Sequence, residues 1–199
     1  MTTTAQRARA PFEAARRAMI DSQLRTSGVN EPWVLTAMAG VAREDFVPEA
    51  QRASAYIDRA IPLGGGRSLA APLVHARMLA EAAPGLGDKV LLVGDGQGYL
   101  AALLRPLCGS LDAVDPAGAG AKGKGGYALI VVDGAIEHLP DALSVRLVDG
   151  GRLVTGLVES GVTRLATGRR AAGDVALLPL AEIGIPILTE FAAPRAWKF

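Results

Sequence analysis

The stretch Lys89-Val-Leu-Leu-Val-Gly-Asp-Gly-Gln-Gly98 constrains this chain more than any other. Lys89 to Val93 are mostly β-formers, Gly94, Gly96 and Gly98 follow at once, and Tyr99-Leu-Ala-Ala-Leu-Leu104 reads as helix. Strand, glycine turn and helix in that order open a βαβ unit. The glycines allow φ > 0 and a close approach of ligand to main chain, with helix N–H groups aimed at it. About 20 residues on, where a nucleotide-binding βαβ unit places its acid, Leu111-Asp-Ala-Val-Asp115 ends in a carboxylate able to accept hydrogen bonds from both hydroxyls of a ribose. This spacing points to a nucleoside site, with a plain βαβ turn as the alternative. Asp95 inside the loop would repel a pyrophosphate and suits a cation. S-adenosylmethionine, with an ammonium, a sulfonium and no phosphate, therefore fits better than NAD. The other reading of Asp95 is a solvated turn residue that caps the next helix.

The chain has 199 residues, half of them hydrophobic, enough for one sizeable core and a single domain. Its 21 basic and 20 acidic side chains leave a net charge of +1, so bulk electrostatics recruit neither nucleic acid nor an anionic membrane. The one cysteine, Cys108, excludes an internal disulfide, fits a reducing compartment and reads as a small packed residue. One Cys and two separated His supply no metal cluster. Met1 to Ala10 is basic and polar without an apolar h-region, so the expectation is a cytoplasmic protein without a secretory signal. The richest apolar window, Val175 to Leu188, contains Glu182 and two prolines, which argues against a membrane span.

Along the chain, Phe12, Ala15, Met19, Ile20 and Gln23/Leu24 recur at helical spacing between Pro11 and about Arg25, as an amphipathic lid or support. A second helix starts near Pro32 and carries Trp33, Val34, Met38 and Val41 inward, and Phe46-Val47-Pro48 anchors a turn in the core. Tyr56 to Leu63 reads as extended, Gly64-Gly65-Gly66 as a loop, and Pro72 opens a helix to about Ala83. Tyr127 to Val132 is a buried-strand run ending at Asp133-Gly134. Asp133 there would lie beside the glycine loop to contact an ammonium or a substrate; the other reading is a turn aspartate. His75 reads as a packed or rim histidine and His138 as a solvated one. Asp141 to Leu147 is a short helix and Arg152 to Leu157 a strand. Gly161 to Thr167 and Val175 to Leu178 form an antiparallel pair, turning at Gly168 to Asp174, that closes one sheet edge. Ala181 to Phe191, with Pro194 beyond, carries no clear element signal.

The segments "MIDSQLRTSGVNEPWVLTAM", "VAREDFVPEAQRASAYIDRAIPLGGGRSLAAPLVHARML" and "KVLLVGDGQGYLAALL" together resemble the protein-L-isoaspartate (D-aspartate) O-methyltransferase family, and "YALIVVDGAIEHLPDALSVRLVDGGRLVTGL" resumes the likeness. The resemblance implies a Rossmann-like class I methyltransferase sheet with helices on both faces and an N-terminal helical extension. The resemblance runs over roughly residues 16–104 before it resumes, and the chain is expected to form one domain, 1–199, with N-terminal helices and a substrate-loop region over 1–83 and the cofactor-type sheet over 84–199. It implies methyl transfer from S-adenosylmethionine to the carboxylate of isoaspartyl or D-aspartyl residues in damaged peptides or proteins. By the same resemblance Gly94, Asp95, Gly96, Gly98, Asp115 and Asp133 are cofactor contacts. Gly66, Arg67, Leu69 and Ala70 belong to the substrate loop, and Ser68 is the candidate catalytic hydroxyl.

Three departures from the family pattern sit on the expected site. The family's Thr-Ile-Ser-x-Pro is here Ser68-Leu69-Ala70-Ala71-Pro72, so the serine hydroxyl is absent. Ser68 falls two residues away, and in an extended stretch it would share a face with Ala70; its other reading is a loop hydroxyl bonding nearby backbone. Leu92 stands where such methyltransferases carry an acid two places before the first glycine. Only Pro116 to Gly126, eleven residues with five glycines, separates Asp115 from Tyr127, where the family has a helix and a third strand. A flexible loop, an open adenine pocket and no third strand are expected. Lys122 and Lys124 read as solvated or as an anion contact. An absent edge strand leaves backbone groups that invite a homodimer. The departures leave two readings: a methyltransferase whose catalysis is mostly positioning and survives loss of one hydroxyl, or a non-catalytic relative serving as a binding or assembly module.

Overall fold

Alternation along the central strands decides the layering. The computed structural model describes residues 4–193, with side chains from Pro11 onward; Met1 to Thr3 and Pro194 lie outside the described residues. An N-terminal layer holds α1 (Thr4–Met19), a π-helical turn (Ile20–Leu24) and α2 (Pro32–Gly40), then the hairpin β1 (Ile61–Gly64) and β2 (Arg67–Leu69), and α3 (Pro72–Ala82). The sheet unit follows as β3 (Lys89–Val93), α4 (Tyr99–Leu104), β4 (Ser110–Val114), α5 (Pro116–Ala119), β5 (Tyr127–Ile136), α6 (Asp141–Ser144), β6 (Leu147–Glu159), β7 (Val162–Ala171) and β8 (Asp174–Glu182). The strand order is β4-β3-β5-β6-β7-β8; the first three pairings are parallel and the last two antiparallel. Successive strand residues point to opposite faces. Val90, Leu92, Leu129 and Val131 therefore pack with α2, α3 and α4, while Leu91, Val93, Ile130 and Val132 pack with Leu143, Leu188 and Phe191.

The two faces are unequally covered. The first carries helices of six to sixteen residues; the second carries one-turn helices and the segment after β8. The missing region accounts for this: Pro116 to Gly126 makes one turn, Pro116–Ala119, and then glycine-rich coil. No third strand follows among the described residues, and β4 is left as an edge whose residues are exposed or half-exposed.

Several local expectations shift. Trp33 is 37% exposed because Val34, Leu35 and Met38 take the inward stripe of α2. Gly64, Gly65 and Gly66 are the tight turn of a hairpin, with φ of +92°, +57° and +77°, where glycine avoids the steric cost of a side chain. β7 runs through Gly168 to Ala171, so the hairpin turns later, at Ala172-Gly173, than the glycine at 168 implied. Gly168 is instead a packing position: a Cβ there would lie 2.8 Å from the Ala176 carbonyl. The segment after β8, without an element signal in the sequence, docks on β5. The Ala135 amide donates to the Pro186 carbonyl at 2.7 Å, and the Leu188 amide to the Ala135 carbonyl at 2.8 Å. Gly134 makes room, since a Cβ there would meet Leu188 at 2.5 Å.

Candidate functional site

A cavity of about 320 Å³ opens at the carboxyl ends of β3, β4 and β5, where ligands of open α/β sheets bind. Of the glycine turn, Gly94 and Asp95 line it; Gly96 and Gly98, expected as cofactor contacts, do not. The Gly94 amide donates to the Val114 carbonyl at 2.9 Å, keeping the turn against β4. Gly96 and Gly98 do not need positive φ here. Close packing selects them: a Cβ on Gly94 would stand 3.0 Å from the Asp133 Cβ, one on Gly96 2.8 Å from the Ala113 Cβ, and one on Gly98 3.1 Å from the Asp95 Cβ. Asp95 accepts the Gln97 amide at 2.8 Å and so closes its own turn, while Gly98 is the N-cap of α4 without side-chain help. Its carboxylate still lines the cavity.

Asp115 ends the second strand and caps α5, accepting the Ala117 amide at 2.9 Å. It also pairs with Arg67 at 3.2 Å, and Arg67 pairs in turn with Glu190 at 2.7 Å. Asp133 enters from the other side, at the point where the β5–β6 register shifts between Val131 and Ala135. Gly66, Arg67 and Ser68 line the mouth of the cavity, and the Ser68 hydroxyl has no hydrogen-bond partner among the described residues. Leu69 and Ala70 are placed differently. They are 4% and 2% exposed, inside the core, so Ala70 does not share an accessible face with Ser68. Leu92 is fully buried. Cys108 is packed, His138 is exposed, and Lys122 and Lys124 are exposed in the glycine-rich coil away from the cavity.

Behind Asp133 lies a network that the sequence reading missed. Arg43 is fully buried, and its guanidinium donates to the Ala55 carbonyl at 2.7 Å and to the Ala70 carbonyl. Arg43 also faces His75 Nδ1 at 3.3 Å and lies 5.0 Å from the Tyr99 ring centroid. A guanidinium can only donate, so His75 Nδ1 accepts; the ring proton is then on Nε2, which donates to Asp133 at 3.0 Å. Burial pushes the Arg43 guanidinium below its ordinary value, opposed by Tyr99 and Asp133. One buried cation thus ties together the chain before Pro72, the helix after the glycine turn, and a cavity carboxylate. The only sequence signals for it were charges inside apolar runs, Arg43 after Val41-Ala42 and Asp133 within Ile130 to Ile136. A second network, in which Tyr56 accepts from Arg16 at 2.7 Å and donates to Glu44, anchors the N-terminal helix; burial and Glu44 push the Tyr56 hydroxyl up to about 12.

Among the described residues, three carboxylates, Asp95, Asp115 and Asp133, line the cavity against one cationic side chain, Arg67. Such a site accepts a cationic or zwitterionic ligand and disfavours a pyrophosphate. Fold and site together define a Rossmann-like α/β protein with a cation-accepting cavity at the strand ends and an N-terminal helical layer over one face. The sequence profile of protein-L-isoaspartate(D-aspartate) O-methyltransferase matches residues 14–115, just over half of the chain. The chain is 32% identical over 200 residues to protein-L-isoaspartate O-methyltransferase 1 of Rhodopseudomonas palustris, covering 86% of this chain and 82% of the relative. It is 36% identical over 168 residues to protein-L-isoaspartate O-methyltransferase 2 of Anaeromyxobacter sp., covering 71% and 69%. In shape it is similar to a Plasmodium falciparum structure described as a protein-L-isoaspartate O-methyltransferase in complex with S-adenosyl-L-homocysteine. The TM-score is 0.71 at 17% identity, over 90% of this chain and 98% of that one, a likeness of fold.

The chain belongs to the protein-L-isoaspartate (D-aspartate) O-methyltransferase family. With the family comes its function, S-adenosylmethionine-dependent methyl transfer to isoaspartyl carboxylates, and a non-catalytic assembly module has no support over it. The profile match stops at Asp115, where the glycine-rich coil replaces the third-strand region.

Proposed function

We propose that the cavity takes S-adenosylmethionine, with its ribose on Asp115 and its ammonium on the side of Asp133 and Asp95, and that an isoaspartyl residue of a peptide or protein enters along Gly66, Arg67 and Ser68. The observation that supports this most is the convergence of Gly94, three carboxylates and Ser68 on one cavity. Its volume lies at the lower end of the roughly 300–1,000 Å³ usual for ligand cavities. It is open beside β4, and no aromatic side chain lines it among the described residues. Adenine would then be held at an exposed rim.

When bound, the cofactor supplies an electrophilic methyl on a sulfonium. The chain's own part is positioning. Asp133, held from behind by His75, and Asp95, fixed in its own turn, hold positive charge in place. The substrate carboxylate is already ionised at neutral pH and is its own nucleophile, so no general base is needed. The Ser68 hydroxyl donates to that carboxylate and orients it. No helix among the described residues is long and apolar enough to cross a membrane. We further assign the protein to the cytoplasm, consistent with its single buried thiol, and propose β4 as the edge through which two copies would pair, without nucleic-acid or membrane partners.

The test is transfer of a labelled methyl group from S-adenosylmethionine to an isoaspartyl peptide and to its aspartyl isomer. The expected result is base-labile methyl ester on the isoaspartyl peptide alone, with Ser68→Ala slowing transfer about tenfold. Equal, background incorporation in both peptides overturns the reading.

A further inference from the structure

We propose that Arg67 is the receptor for the reacting carboxylate and sets the chain's requirement for an anionic side group, an inference that rests on the function proposed above. An isoaspartyl substrate brings a negative charge into a cavity that already holds three carboxylates, and among the described residues Arg67 is the one cationic side chain lining it. Without that cation the like charges would exclude the substrate.

The way Arg67 is held suits the task. Its Nη2 makes all of its contacts within the protein, to Asp115 at 3.2 Å and to Glu190 at 2.7 Å. Its Nε and Nη1 have no hydrogen-bond partner among the described residues. Each is a charged donor able to give a substrate carboxylate one hydrogen bond; they act singly, because both parallel-donor edges of a guanidinium include Nη2. The two acids behind the guanidinium orient it in advance, and the side chain is one-third exposed, so these donors are reachable. The backbone is fixed as well: Arg67 lies in β2, paired to Gly64 across the hairpin, next to Ser68, which pairs with Pro62. Ala70, at the family's serine position, is buried at 2% exposure and offers no donor. Arg67 and Ser68 then share the work of that missing hydroxyl. Both Asp115 and the substrate depend on Arg67, so the cofactor's ribose side and the substrate carboxylate meet at one guanidinium.

The experiment measures binding of a fluorescent isoaspartyl peptide by anisotropy, with and without saturating S-adenosyl-L-homocysteine, for the intact protein, R67Q and R67K. A peptide with isoasparagine in place of isoaspartate serves as the uncharged control, and homocysteine-cofactor affinity is read separately by calorimetry. The expected result is about a 10- to 100-fold loss of isoaspartyl affinity in R67Q, the size of one charge-assisted hydrogen bond, with a smaller loss in R67K. The unmodified protein should bind the isoasparagine peptide as weakly as R67Q binds either, while cofactor affinity falls by less than isoaspartyl affinity does. R67Q that keeps the isoaspartyl affinity, or still prefers isoaspartyl to isoasparagine as strongly, overturns the proposal. Absence of cofactor binding in the intact protein would defeat the proposed function separately, and the peptide arms would still decide the role of Arg67.

Discussion

The two carboxylates that face each other across the cavity are built in opposite ways. Asp133 is 22% exposed and is backed by a histidine and an arginine that are wholly buried. Asp115 is 68% exposed, sits at the end of an edge strand, and leans on Arg67 and Glu190, themselves about a third and a quarter exposed. On the first side, position is fixed by packing: moving Asp133 means disturbing a guanidinium that also holds the carbonyls of Ala55 and Ala70. On the second, position is fixed by surface ion pairs, which are individually weak and screened by salt. The wall next to the N-terminal helices is therefore part of the core, and the wall next to the missing third strand is a surface. Removing a strand and a helix from a Rossmann-like sheet leaves the site on the retained side nearly intact and turns the other side into an adjustable rim.

That contrast breaks most visibly at Arg43. Arg43→Met keeps the volume but strands two carbonyls and His75, and should cost about 3–5 kcal/mol in a urea unfolding series, with cofactor affinity falling as well. A change under about 1 kcal/mol would show that the network is not what holds this wall. His75→Leu leaves Arg43 and Asp133 each short of a partner; about 2–3 kcal/mol of stability and roughly a tenfold loss of S-adenosylmethionine affinity should go together. On the open wall the two effects should separate. Asp115→Ala is expected to weaken S-adenosylmethionine about tenfold while moving unfolding by less than about 1 kcal/mol, since it removes only the cap of a four-residue helix and exposed ion pairs. Raising salt from about 0.05 to 0.5 M should erode binding more in His75→Leu, which relies on Asp115, than in Asp115→Ala. The smallest change is Gly120→Ala in the glycine-rich coil, at φ −75° and ψ −8° with nothing within 4 Å of a new Cβ. It should add about 0.4–1 kcal/mol of stability and leave affinity unchanged.

Much of the open wall was legible in the sequence. The glycine turn, Asp115 and the strand runs depend on residues within about 20 positions of each other, and β-periodicity is a local signal. The missing strand was legible as a shortage of residues between Asp115 and Tyr127. The buried wall was not. Arg43, His75 and Asp133 are separated by 32 and 58 residues, and nothing local tells a charge in an apolar run which distant group satisfies it. Glu190 and the Pro186 to Leu188 wall were hidden for a different reason. That segment attaches by backbone hydrogen bonds at Ala135 and at Glu137 and His138 rather than along a strand ladder, so it carries neither helical nor strand periodicity. The Ala70 position shows the limit of motif transfer: the residue number matched the family pattern, but its side chain lies in the core, and the groups that face the cavity are Arg67 and Ser68.

Carboxylates on both walls are proposed to bind S-adenosylmethionine in this cavity. Calorimetric titration of the protein with S-adenosylmethionine and S-adenosyl-L-homocysteine, beside Asp133→Asn, tests this most directly. The expected result is one site of micromolar affinity, about −8 kcal/mol, weakened at least tenfold in the variant without loss of fold. No heat at millimolar ligand, or equal affinity in Asp133→Asn, would contradict the proposal.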